Sequence, residues 1–128
     1  MRIMPGAMLG VIGGGQLGRM FVMAAQQMGY PVTVLDPSVD SPAGRIAEHF
    51  ICADYADHSA LKALSMQCAA ITTEFENIPA ESLRLLALSS VVSPDADSVS
   101  IAQNRVSEKQ FLGTNGFAVA PYAIIERH

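Results

Sequence analysis

Three short segments carry residue types and spacings that could do chemistry. The first is Gly13-Gly14-Gly15-Gln16-Leu17-Gly18, a G-x-G-x-x-G pattern. Glycines let a backbone turn tightly and approach a ligand closely. If a helix starts there, its free N–H groups and positive dipole end face an anion. Asp36 lies about where a dinucleotide fold keeps its ribose-binding acid. Close strand–helix packing accounts for the same glycines, and Gln16 adds a bulky amide able to hydrogen-bond a ligand. The second segment is Thr72-Thr73-Glu74-Phe75-Glu76-Asn77-Ile78-Pro79. In extended chain Glu74 and Glu76 would point to one side and Phe75 to the other. Two carboxylates and an amide can bind amino and hydroxyl groups, or a metal. A solvated loop with Asn77 capping the next helix accounts for them equally. The third is Gln103-Asn104-Arg105-Val106-Ser107-Glu108-Lys109. Arg105 and Lys109 share a helix face and could hold phosphate, or simply line a solvated face beside Glu108. His49, His58 and His128 are scattered and form no metal set. Several of the seven methionines fall on the first helix and read as core filling.

These segments sit between elements that the apolar pattern delimits. Met8–Ile12 is a short apolar run that stops at glycine, the mark of a buried strand. Leu17, Met20, Phe21, Ala24, Ala25 and Met28 then recur at steps of three and four, predicting one apolar helix face. Gly29 and Pro31 end that helix. Val32–Leu35 predicts a second strand, ended by Asp36-Pro37, and residues 37–47 are a loop by composition. Glu48–Cys52 suggests a short third strand. Asp57-His58-Ser59 offers caps to a helix carrying Leu61 and Leu64. Cys68–Thr73 reads as a fourth strand, and Pro79 opens a helix with Leu83, Leu86 and Ala87 on one face. Val91-Val92 is a fifth strand, stopped by Ser93-Pro94-Asp95. A last helix is predicted over 103–113, with extended chain from Phe117 to Ile125. Strands alternating with helices in this way predict an α/β fold, an open parallel sheet with helices on both faces. The acidic segment would then follow the fourth strand, on the carboxyl edge where such sheets bind ligands.

Composition narrows the classes. The 128 residues suit one domain with a real core, and 50% apolar against 16% charged residues excludes a disordered tail. A net charge of −4 with only eight Lys and Arg argues against a nucleic-acid partner. No apolar run nears the ~18 residues of a membrane span, and no signal peptide is read, so a cytoplasmic protein is expected. Cys52 and Cys68 fit neither a zinc pattern nor a CxxC pair and are expected to be buried thiols.

The three segments in this order resemble the N-terminal region of the N5-carboxyaminoimidazole ribonucleotide synthetases, ATP-grasp ligases of purine biosynthesis. The matching pieces are Gly13-Gly14-Gly15-Gln16-Leu17-Gly18-Arg19-Met20, Val34-Leu35-Asp36-Pro37, Thr73-Glu74-Phe75-Glu76-Asn77-Ile78-Pro79 and Asn104-Arg105-Val106-Ser107-Glu108-Lys109-Gln110. The glycine pattern alone is weak; joined to Thr-Glu-Phe-Glu-Asn it is specific. Asn104 departs from the Asp that often precedes the Arg in the family. The resemblance runs from Leu9 to Glu126 and covers the family's first domain and the entry to the second. It implies a Rossmann-like pre-ATP-grasp domain at 1–102, and a linker helix with the first strand of a truncated ATP-grasp domain at 103–128.

The activity so implied consumes ATP, bicarbonate and 5-aminoimidazole ribonucleotide, with Mg2+ on the phosphates, in a homodimer. Gly15, Gln16 and Leu17 would line the ribonucleotide pocket; Glu74, Glu76 and Asn77 would face the substrate. Arg105, and more weakly Lys109, would contact ATP. The family's catalytic, adenine-binding and metal-binding residues would lie past position 128, with no metal ligands before it. The chain is therefore expected to be part of a longer protein. Alone, it should bind the ribonucleotide weakly or not at all and ATP weakly at best, without turnover. Three other readings stay open: an NAD-binding oxidoreductase domain, a sister ligase such as the formate-dependent glycinamide ribonucleotide transformylase, and a binding module without activity.

Overall fold

The computed structural model describes residues 2–125. Met1 and Glu126–His128, the outer ends of the two expected units, lie outside the described residues. The chain runs β1 (Leu9–Ile12), α1 (Gln16–Gln27), β2 (Val32–Asp36), β3 (His49–Cys52), α2 (His58–Gln67), β4 (Ala70–Thr73), α3 (Ala80–Ala87), β5 (Val91–Val92), α4 (Ala96–Gln103) and α5 (Arg105–Thr114). The strands form one all-parallel sheet in the order β3-β2-β1-β4-β5. The register sets Ile12 beside both Leu35 and Thr73, so β1 and β4 end level and β2 runs one residue further, to Asp36.

The sheet is an α/β layer with a core on each face. Val11, Val32 and Val34 pack with Val22 and Ala25 of α1 and with Ala43. Ile12, Leu35 and Ile71, on the opposite face, pack with Leu61 and Leu64 of α2, Leu83 and Leu86 of α3, and Val99 of α4. Neighbouring residues of one strand thus serve opposite layers, as a period of two requires. Burying each large aliphatic side chain contributes roughly 1.5–3 kcal/mol, and parallel sheets need both faces covered.

Short polar side chains start α2, α4 and α5. Asp57 accepts from the Ala60 N–H at 3.0 Å, Asp95 from Ser98 at 2.7 Å, and Asn104 from Val106 and Ser107 at 3.0 Å each. Several expectations are corrected here. The buried strip of α1 is Gly18, Val22 and Ala25, whereas Leu17, Met20 and Met28 are 62%, 64% and 63% exposed. The apolar stripe is therefore wider than the surface the sheet covers. The helix expected over 103–113 is α5, which starts at Arg105 because Asn104 caps it with an extended backbone, and a further helix, α4, precedes it. Residues 117–125 form no strand, since none of their backbone pairs with the sheet. Cys52 is exposed at the end of the edge strand β3, and only Cys68 is buried.

Candidate functional site

The sheet order places β4 back beside β1 after the chain has moved the other way through β2 and β3. That reversal falls at β1 and β4, and open α/β sheets take ligands at the carboxyl ends of strands where the order reverses. The glycine loop leaves β1 there and the Thr73–Asn77 segment leaves β4 there, so the first two predicted segments are brought together.

The loop is held from both sides by the protein's own carboxylates. From β2, buried Asp36 accepts from the Gly14 N–H at 2.7 Å, the Ser38 N–H at 2.8 Å and the Tyr55 hydroxyl at 2.8 Å. From the end of β4, Glu74 accepts from the Gly15 N–H at 3.1 Å and the Gly18 N–H at 2.6 Å, one oxygen to each. The Ser41 hydroxyl donates to the Gly14 carbonyl at 2.9 Å, as does the Ala43 N–H. Gly13 sits at φ +100, where side chains are strained, and a Cβ there would also meet Glu74 Cγ at 2.5 Å. A helix start leaves its first N–H groups without helical partners. Glu74 takes two of them, and among the described residues no acceptor takes the N–H groups of Gln16 and Leu17, both exposed.

The acidic segment bends and turns rather than running extended. Glu74 reaches α1, Glu76 and Asn77 stand exposed, and Phe75 packs edge-on against Tyr55 with ring centroids 5.7 Å apart. Asn77 does not cap α3, whose cap position is Pro79. The turn is fastened to α4 by Gln103, whose amide donates to the carbonyls of Glu76 and Ile78. Between turn and helix lies a groove of about 370 Å³, lined by Thr73, Glu74, Phe75, Glu76, Ser98 and Val99 among others.

Of the third segment, Gln103 reaches the acidic turn, and Arg105 and Lys109 follow on α5. Arg105 is exposed on α5 and pairs with Glu108 at 2.6 Å, and Lys109 is half-buried on the same helix. Burial, then the hydrogen bond to Asp36 and that carboxylate's charge, push the Tyr55 phenol well above its ordinary range. Tyr55 therefore stays a donor to Asp36. Among the described residues no three His, Cys, Asp or Glu side chains converge to hold a metal. Sequence reasoning missed Tyr55 and Ser41, and gave Gln103 no positioning role. All three act through contacts more than ten residues away in the chain, which local patterns do not carry.

The comparisons with known proteins agree with this geometry. The N5-carboxyaminoimidazole ribonucleotide synthase of Staphylococcus aureus strain COL is 44% identical over 121 residues, 94% of this chain and 32% of its own length. The Bacillus subtilis protein of the same name is 44% identical over 124 residues, 97% of this chain and 33% of its own. The chain thus spans about a third of the length of the curated relatives it matches. Among solved structures, N5-carboxyaminoimidazole synthetase from S. aureus complexed with ADP superposes with a TM-score of 0.88 at 44% identity, over 93% of this chain and 32% of that one. The Aspergillus clavatus synthase in complex with ADP and 5-aminoimidazole ribonucleotide gives 0.78 at 31% identity, over 86% of this chain and 30% of that one. The family model of the ribonucleotide synthetase preATP-grasp domain matches residues 6–103, from before β1 to the last residue of α4. Sheet order, loop contacts and sequence therefore converge, and the chain belongs to the ribonucleotide synthetase preATP-grasp domain family.

Proposed function

We propose that this chain forms the ribonucleotide-binding side of an ATP-dependent carbon–nitrogen ligase that carboxylates 5-aminoimidazole ribonucleotide with bicarbonate to N5-carboxyaminoimidazole ribonucleotide. In that reaction ATP phosphorylates bicarbonate, the carboxyl carbon passes to the exocyclic amine of the imidazole, and ADP and phosphate leave. The observation that carries the reading is the contact of Glu74 with the Gly15 and Gly18 amides, which ties the glycine loop and its open Gln16 and Leu17 amides to the segment that carries Glu76 and Asn77. Amide N–H groups at a helix start suit a phosphate, and a carboxylate beside a carboxamide suits hydroxyl or amine donors. Gly15 and Glu74 build the wall between them. The names of the relatives, and the ribonucleotide carried by the A. clavatus synthase, support this substrate class.

Arg105 and Lys109 would meet ATP from α5, and exposed Arg105 could exchange its partner Glu108 for a phosphate. Residues 1–102 would be the pre-ATP-grasp unit, with 103–128 leading into the next. Magnesium would serve the phosphates, but the described residues offer no ligand set for it. The exposed Leu17, Met20 and Met28 stripe leaves α1 an apolar face for a homodimer, and a cytoplasmic setting fits the substrates. A dinucleotide site is disfavoured because Asp36 is already committed to Gly14, Ser38 and Tyr55.

Titration calorimetry and thermal shift with the ribonucleotide, ATP and NAD test the assignment. Weak stabilisation by the ribonucleotide and none by NAD is expected, and the reverse order contradicts it. The 128 residues alone are expected to show no bicarbonate-dependent ATP hydrolysis in a phosphate-release assay.

A further inference from the structure

The glycine loop matches a pattern that elsewhere receives a diphosphate, yet the charge that fills it here is the protein's own. Glu74 places one oxygen 3.1 Å from the Gly15 nitrogen and the other 2.6 Å from the Gly18 nitrogen. The backbone is shaped to admit that side chain. A Cβ on Gly13 would strike Glu74 Cγ, and one on Gly15 would come within 3.0 Å of Glu74 Oε1. On the other side, a Cβ on Gly14 would collide with the Ser41 hydroxyl. Small residues are thus required here by internal groups, with no ligand in the account. The β4 backbone fixes the approach, because the Glu74 N–H donates to the Ile12 carbonyl at 3.2 Å.

We infer that Glu74 is a specificity-determining residue, a built-in anion that closes the Gly15 and Gly18 amides to diphosphates and leaves a ligand only those of Gln16 and Leu17. A diphosphate entering the loop would have to displace a carboxylate that makes two charge-assisted hydrogen bonds, while facing its repulsion. A single phosphate can use the two remaining amides without moving it. This inference concerns which amides are open, so it stands or falls separately from the identity of the nucleotide proposed above.

The test uses inorganic pyrophosphate, with sodium chloride at matched ionic strength as control. Calorimetry should find E74A binding pyrophosphate at least about tenfold more tightly than the wild type, a change of about 1.4 kcal/mol. E74Q, which keeps one acceptor, should fall between. Binding by folded E74A no tighter than by the wild type overturns the inference. As a readout independent of the loop in E74A, the wild-type chain is also followed by amide NMR. Gly15 and Gly18 resonances that stay in place under millimolar pyrophosphate support the closed loop, and movement of both overturns it.

Discussion

Asp36 shows how far a residue's role depends on what else reaches it. By position it could serve a ribose, yet its oxygens already accept from Gly14, Ser38 and Tyr55. Its charge matters because all three partners donate. In D36N one amide oxygen remains an acceptor while the NH2 faces an N–H or O–H it cannot satisfy. We expect D36N to lose about 2–3 kcal/mol of stability and Y55F only about 1 kcal/mol, read from urea midpoints. A neutral D36N would contradict this network. Cys68 gives a second expectation at this scale. Burial pushes its thiol up to about 11 from an ordinary value of 9.0, against a weaker pull from the Thr33 hydroxyl. The folded state therefore keeps a proton that the unfolded chain releases earlier. Stability is full below about pH 9, falls as pH rises toward 11, and levels beyond it. Tyr55 adds loss in the same direction. The difference in unfolding midpoint between wild type and C68A, followed from pH 8 to 11, should isolate the thiol's share.

At the scale of elements, what could be read from sequence was what neighbours in the chain decide. The strands at Leu9, Val32 and Ala70, the Asp57 cap and the Pro79 entry to α3 are all local signals. Helix α4 was not legible because Val99 is its one buried residue, so it carries no apolar stripe. The face of α1 was misjudged for the opposite reason: its apolar stripe exceeds the strip that the sheet covers, and Gly18 does the close packing without a side chain. A Cβ on Gly18 would collide with the Gly13 carbonyl, which is backbone and cannot step aside. G18A should therefore cost at least about 2 kcal/mol and lift α1 from the sheet. At Gly113 in α5 a Cβ meets nothing within 4 Å. G113A should instead gain about 0.5 kcal/mol through lost chain entropy on unfolding. Thermal denaturation of both variants compares them directly, and equal effects would contradict the packing argument.

For the whole molecule, the sheet's reversal at β1 and β4 is what makes a site from segments some sixty residues apart, as the Gly15–Glu74 contact separation of 59 records. The site segments could be picked out in the sequence by residue type, but their division of labour could not. Glu74 and Asp36 spend their oxygens inside the loop, and the surface left for a ligand is Gln16, Leu17, Glu76 and Asn77. Arg105 and Lys109 lie on α5, where Arg105 pairs with Glu108. The most direct test is an amide NMR titration of the labelled chain with 5-aminoimidazole ribonucleotide at millimolar concentration. Fast-exchange shifts are expected to gather at Gln16, Leu17, Glu76 and Asn77. Shifts gathered instead on α5, or none at any of these four residues, would contradict this assignment.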